Sequence, residues 1–98
     1  MINLEVRGDS GDVVARARAG TGVEWTDAFA ALDTVRFPML WALIPYGDAV
    51  FNQRQVPLLP AELDRLPAAC AGDRVGQARE LCQVVGQGQH LYLRFVGD

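Results

Sequence analysis

Two stretches of strict alternation, one near each end of the chain, limit the fold more than any other feature. Ile2, Leu4 and Val6 alternate with Asn3, Glu5 and Arg7. Near the other end Leu91, Leu93 and Phe95 alternate with His90, Tyr92, Arg94 and Val96. Successive side chains of a strand point to opposite faces, so each stretch is apolar on one side only. That is the signature of a half-buried strand, and it calls for a sheet with one covered face.

The rest of the chain supplies the other strands and the cover. Gly8-Asp-Ser-Gly-Asp12 is turn chemistry, with glycines for positive φ and Asp and Ser side chains to bond the local backbone. Val13 to Ala19 alternates again, with Val14, Arg16 and Arg18 on one face and Ala15, Ala17 and Ala19 on the other, which predicts a β-hairpin. Thr26 or Asp27 caps a predicted short helix with Phe29, Leu32 and Trp25 facing inward. Pro38 prevents its continuation. Met39-Leu-Trp-Ala-Leu-Ile44 is apolar on both faces and predicts a central strand. Pro60 suits the first turn of a helix packing Leu63 and Leu66, and Pro67 ends it. Asp73 is a good N-cap for the clearest helix, whose stripe is Val75, Ala78, Leu81, Cys82 and Val85, with Gly86 or Gly88 as its stop.

The expectation is therefore one α+β domain spanning residues 1–98. Its mostly antiparallel four-stranded sheet takes residues at about 2–7, 13–19, 39–44 and 90–96. Helices at about 26–35, 61–66 and 74–85 pack on one face. Strand order is not legible at this level.

Composition removes several functions. A net charge of −3 and a pI near 5.0 argue against nucleic acid, which calls for a basic patch. All nine basic residues are arginine, so no P-loop lysine, Schiff-base lysine or Ser–Lys dyad exists. The longest apolar run, Met39–Ile44, is far too short to span a membrane. Met1-Ile-Asn-Leu-Glu-Val6 has neither a basic start nor an apolar h-region, so the cytoplasm is the expected location. Cys70 and Cys82 suit small buried hydrophobes better than a disulfide framework or a metal site. No cofactor is expected.

Several motifs dissolve on inspection. Gly8-Asp-Ser-Gly11 resembles the nucleophile loop of chymotrypsin-like proteases, but those need a double barrel and an upstream His, and the single His here is His90. Asp9-Ser-Gly11 resembles the triplet of retroviral-type aspartic proteases, yet Asp12 would put a third carboxylate beside the dyad. Arg7-Gly-Asp9 matches an integrin-type tripeptide by chance. Gly20-Thr-Gly22 lacks the third glycine of a dinucleotide loop, since position 25 is Trp. His90 has no identifiable nucleophile to serve.

What remains is the segment Pro45–Gln55, where a turn, Pro45-Tyr-Gly-Asp48, leads through Ala49-Val-Phe51 into the polar cluster Asn52-Gln-Arg-Gln55. As plain structure, Pro45 sets φ, Gly47 takes a positive φ, Asp48 bonds the turn backbone, and Asn52 and Arg54 are ordinary polar groups. As a recognition patch, Tyr46, Asp48, Asn52 and Arg54 line a surface notch, with Tyr and Arg the types enriched at binding hot spots.

Pro45-Tyr-Gly-Asp48 with Val50-Phe-Asn52, and the ending His90-Leu-Tyr-Leu-Arg-Phe-Val-Gly-Asp98, resemble a group of small, uncharacterised single-domain bacterial proteins, largely actinobacterial. The likeness covers roughly the C-terminal two thirds. This chain has Ile44 and Ala49 where the group carries an Asp and a Thr, so no polar role transfers to those positions. The resemblance implies a shared fold for the turn and the closing strand, and no activity.

The expected function is a small non-catalytic binding protein, an accessory, regulatory or immunity-type partner of another protein. A homodimer is the expected self-association, and neither nucleic acid nor membrane is an expected partner. The competing expectation is a small enzyme or small-molecule-binding protein with a pocket near the 45–55 turn, using Tyr46, Asp48 and Arg54 or His90.

Overall fold

The computed structural model describes residues 2–16, 25–44, 46–67 and 73–97. Strands β1 (Ile2–Gly8), β2 (Val13–Arg16), β3 (Asp48–Phe51) and β4 (Leu91–Gly97) form one antiparallel sheet in the order β2-β1-β4-β3. Helices α1 (Asp27–Ala30), α2 (Leu59–Asp64) and α3 (Asp73–Gln87) complete an α+β fold. Among the described residues, no helix is long and apolar enough to cross a membrane.

The two alternating stretches are the two central strands, and they pair with each other. Leu4 faces Phe95 and Val6 faces Leu93, and all four are buried on the covered side. Phe51 of β3 joins them opposite Leu93, its ring edge-on to Phe95 at 5.7 Å. From the other layer α3 contributes Ala78, Leu81, Cys82 and Val85, as its apolar stripe predicts. Phe29, Leu32, Phe37, Leu40, Leu43, Val56, Leu59 and Leu63 close the core around them.

The hairpin turn uses its polar residues locally. Gly11 has φ 88, Gly8 N–H donates to the Asp12 carbonyl (2.9 Å), and the Ser10 hydroxyl donates to the Asp12 carboxylate (2.5 Å). The Ser10 bond holds the Asp12 carboxyl below its usual value. Of the predicted strand 13–19, the structure shows Val13–Arg16, while residues 17–19 and the Gly20-Thr-Gly22 motif lie outside the described residues. Ala15 packs on the core side opposite Val6, and Arg16 lies opposite Glu5.

One strand assignment is corrected. Residues 39–44 are not a strand: Leu40–Ala42 form a 3-10 turn, and the strand that takes their place in the sheet is β3, Asp48–Phe51. The cause is a buried carboxylate. Glu62 of α2, 1% exposed, accepts hydrogen bonds from Met39 N–H (3.1 Å) and Leu40 N–H (3.0 Å), which caps the turn from across the fold. Phe37, Leu40 and Leu43 then point inward at a spacing of three, leaving Trp41 and Ile44 exposed. A short apolar run with this spacing reads the same as a doubly buried strand.

Helix boundaries shift for local reasons. Thr26 caps α1 by accepting from Phe29 N–H (3.4 Å), and Trp25 stacks on Phe29. The helix stops at Ala30 rather than near 35, because the Asp33 carboxylate accepts from Val35 N–H (3.2 Å) and Arg36 N–H (2.9 Å) and opens a separate turn. The predicted helix at 61–66 runs instead over Leu59–Asp64, with Pro60 in its first turn, after a 3-10 turn at Val56–Leu58. The predicted helix 74–85 is α3, longer by a residue or two at each end.

Candidate functional site

The covered sheet leaves its opposite face open, and that face is organised around Glu5. Arg7 Nε donates to Glu5 Oε2 (2.8 Å), while Arg16 Nε and Arg94 Nη1 lie 3.8 and 3.9 Å from its carboxylate. Arg94 also pairs with Asp48 from the neighbouring strand. The register dictates this arrangement: Glu5 lies opposite Arg16 on one side and Arg94 on the other. Like charges are thereby kept apart by opposite ones, and the face carries little net charge. The Asp48 hydrogen bond raises the Arg94 pKa further above its ordinary value.

The four residues singled out from sequence do not form one notch. Asp48 and Asn52 stand at opposite ends of β3, about 13 Å apart at roughly 3.3 Å per residue. Tyr46 is 87% exposed beside the Asp48 end. Asp48 bonds Arg94 rather than its own turn, and Gly47 is not the positive-φ glycine. At that end the chain instead needs clearance: Gly97 N–H donates to the Gly47 carbonyl (2.8 Å), and a Cβ on Gly97 would meet the backbone of Gly47 and Ile44 at 2.5–2.6 Å. The Pro45–Asp48 motif and the C-terminal motif thus meet at this glycine pair.

At the other end, most of the polar cluster serves the fold. The Asn52 carboxamide oxygen accepts from Arg54 N–H (2.9 Å) and Gln55 N–H (3.0 Å), and Gln55 Oε1 accepts in turn from Asn52 N–H (3.0 Å). Gln53 is the residue that sequence reasoning missed. Its amide donates to the carbonyls of Val85 (3.0 Å) and Gly88 (2.7 Å) at the end of α3, and its oxygen accepts from His90 N–H (3.2 Å). It therefore fixes the sharp passage from α3 into β4, where His90 has φ 57. No sequence signal separates this glutamine from its neighbours, because its partners lie more than thirty residues away.

Arg54 is exposed, and its side chain makes no hydrogen bond or ion pair among the described residues. With Asn52, His90 and Tyr92 it borders a shallow concavity of about 260 Å³. A second one, of about 280 Å³, lies on the open face between Arg7, Val50, Tyr92, Arg94 and the Gly8–Gly11 turn. Among the described residues no three His, Cys, Asp or Glu side chains gather as metal ligands. Cys82 is buried, and burial pushes its thiol up to about 11. Cys70 lies outside the described residues.

The remaining feature is apolar. Trp41, Ile44, Tyr46 and Val50 are 57, 53, 87 and 55% exposed, all within ten residues of chain that lead into the edge strand β3. In comparisons with family models, curated proteins and solved structures, nothing matches this chain at a significant level.

Proposed function

We propose that the chain is a small non-catalytic protein-binding domain, an accessory, regulatory or immunity-type partner, that engages through the rim formed by Trp41, Ile44, Tyr46 and Val50. One observation carries the reading: four large apolar side chains, each more than half exposed, lie within ten residues of chain that end in the edge strand β3. Isolated exposed apolar residues are ordinary, but a run rich in Trp and Tyr beside a polar rim is the composition of an interface core. The neighbouring Asp48–Arg94 pair supplies such a rim. Arg54, at the far end of β3, is outside this surface and contributes little to it.

The test is a tagged chain used to recover its partner from the native host, followed by titration of the purified pair. Trp41→Ala and Tyr46→Ala melt like the parent, since both side chains are exposed, yet weaken the purified complex tenfold or more, as hot-spot truncations do. Arg54→Ala binds like the parent. Full affinity in both rim variants would remove the rim from the interface. A collapse in melting temperature would mean instead that these side chains serve the fold.

A further inference from the structure

A concavity with a mostly apolar lining lies elsewhere, between α3 and the segment at residues 53–60. It encloses about 270 Å³. Its floor is Val56, Cys82 and Val85, all buried, and its walls include Pro57 and Pro60. Among the described residues only Gln53 connects it with the 45–55 segment, and that amide is already bonded to Val85 and Gly88.

Two features mark this hollow as a site rather than a packing gap. The first is Arg79, the one charged residue of its lining among the described residues. Its Nη2 pairs with Asp64, which is itself 65% exposed. Exposed pairs of this kind contribute little and exchange readily with another carboxylate. The Nε and Nη1 donors have no partner among the described residues, and a guanidinium can take a carboxylate on two donors at once. Its positive charge is felt at the floor, where it opposes the upward push of burial on the Cys82 thiol.

The second is Gly86. It stands in the last turns of α3 with no positive φ, and a Cβ built there meets nothing within 4 Å. Glycine weakens a helix relative to alanine, and among the described residues neither its φ nor a close contact requires it at this position. What its missing side chain does is leave the wall of the hollow open, one helical turn from Gln83 and two from Arg79.

We propose that this hollow binds a small apolar carboxylate, a short aliphatic acid whose chain lies on Val56, Pro57, Pro60 and Val85 and whose carboxylate meets Arg79. The volume falls just below the usual range for small-molecule pockets, which suits a short chain and not a large ligand. The site is independent of the protein-binding rim.

The experiment titrates the 98-residue chain with butyrate, hexanoate and hexanol while following backbone amide resonances. Hexanoate shifts the amides of Cys82, Gln83, Val85 and Gly86. Each methylene buried contributes about 0.8 kcal/mol, or about fourfold, so hexanoate binds about sixteenfold more tightly than butyrate. Hexanol binds more weakly than hexanoate. Arg79→Gln removes that difference, and Asp64→Asn, which takes away the competing carboxylate, tightens hexanoate without affecting hexanol. Gly86→Leu fills the hollow, keeps the helix and abolishes binding, whereas Gly76→Ala, the other helical glycine with open space around it, stabilises the chain and leaves binding unchanged. Absence of hexanoate shifts at these amides, equal binding of hexanoate and hexanol, or unaltered binding in a folded Gly86→Leu chain would each overturn the proposal.

Discussion

Glu62→Ala takes away the acceptor on which the 3-10 turn at Leu40–Ala42 depends. Two backbone donors lose their partner, Met39 N–H, which is half-buried, and Leu40 N–H, which is fully buried. A buried donor left without an acceptor costs about 1–3 kcal/mol, so Leu40 loses that in full and Met39 less, because water reaches it. Relief of the carboxylate's own desolvation offsets part of the loss. The net expectation is about 2–4 kcal/mol, a large share of the roughly 5–15 kcal/mol that stabilises a domain of this size. At about 4–8 °C per kcal/mol the melting temperature falls by roughly 8–30 °C. Glu62→Gln keeps an oxygen where Oε1 accepts from both amides, at 3.1 and 3.0 Å, and costs less than half as much. The assay is a urea titration followed by tryptophan fluorescence and by far-ultraviolet circular dichroism, with Trp41 reporting directly from the turn. An alanine variant within about 0.5 kcal/mol of the parent would refute the role given to Glu62, as surface substitutions fall in that range. So would a glutamine variant as unstable as the alanine one.

Further expectations concern the strands and the thiol. Gly97→Ala forces a methyl group against the backbone of Gly47 and Ile44, so it destabilises the fold and frees the Gly47 turn, measurable as faster amide exchange at Gly97. Leu93→Ala, at a position with no exposure, costs about 2–5 kcal/mol through lost burial and the cavity left behind. Arg94→Ala, on the open face, costs a small fraction of that, and equal losses would contradict the facing of β4. Cys82 stays protonated in the folded chain, so its contribution is complete below the ordinary thiol value of 9.0 and fades as pH rises toward about 11. Alkylation at pH 8 is accordingly slow in buffer and fast in denaturant, and rapid labelling of the folded chain at Cys82 would show it to be accessible.

The sequence by itself determined the fold class, the facing of the two central strands and the position of α3. In each, period-two or helical spacing over many residues leaves one arrangement that buries the apolar face, as with Leu4 against Phe95 and Ala78, Leu81 and Val85 on one stripe. It also determined that the Gly8–Asp12 segment turns the chain, since its bonds are made among its own residues. Tertiary structure decided the rest, for one physical reason: the deciding partners are distant in the chain. Met39–Ile44 turns instead of extending because Glu62 reaches its amides, and that makes Trp41 and Ile44 surface residues. Gln53 became a clamp on α3 and Asp48 a partner of Arg94, which divided the expected Tyr46–Arg54 notch between the two ends of β3. The hollow beneath Arg79 and Gly86 likewise exists only where α3 meets the turn at Val56, and no spacing within either segment announces it.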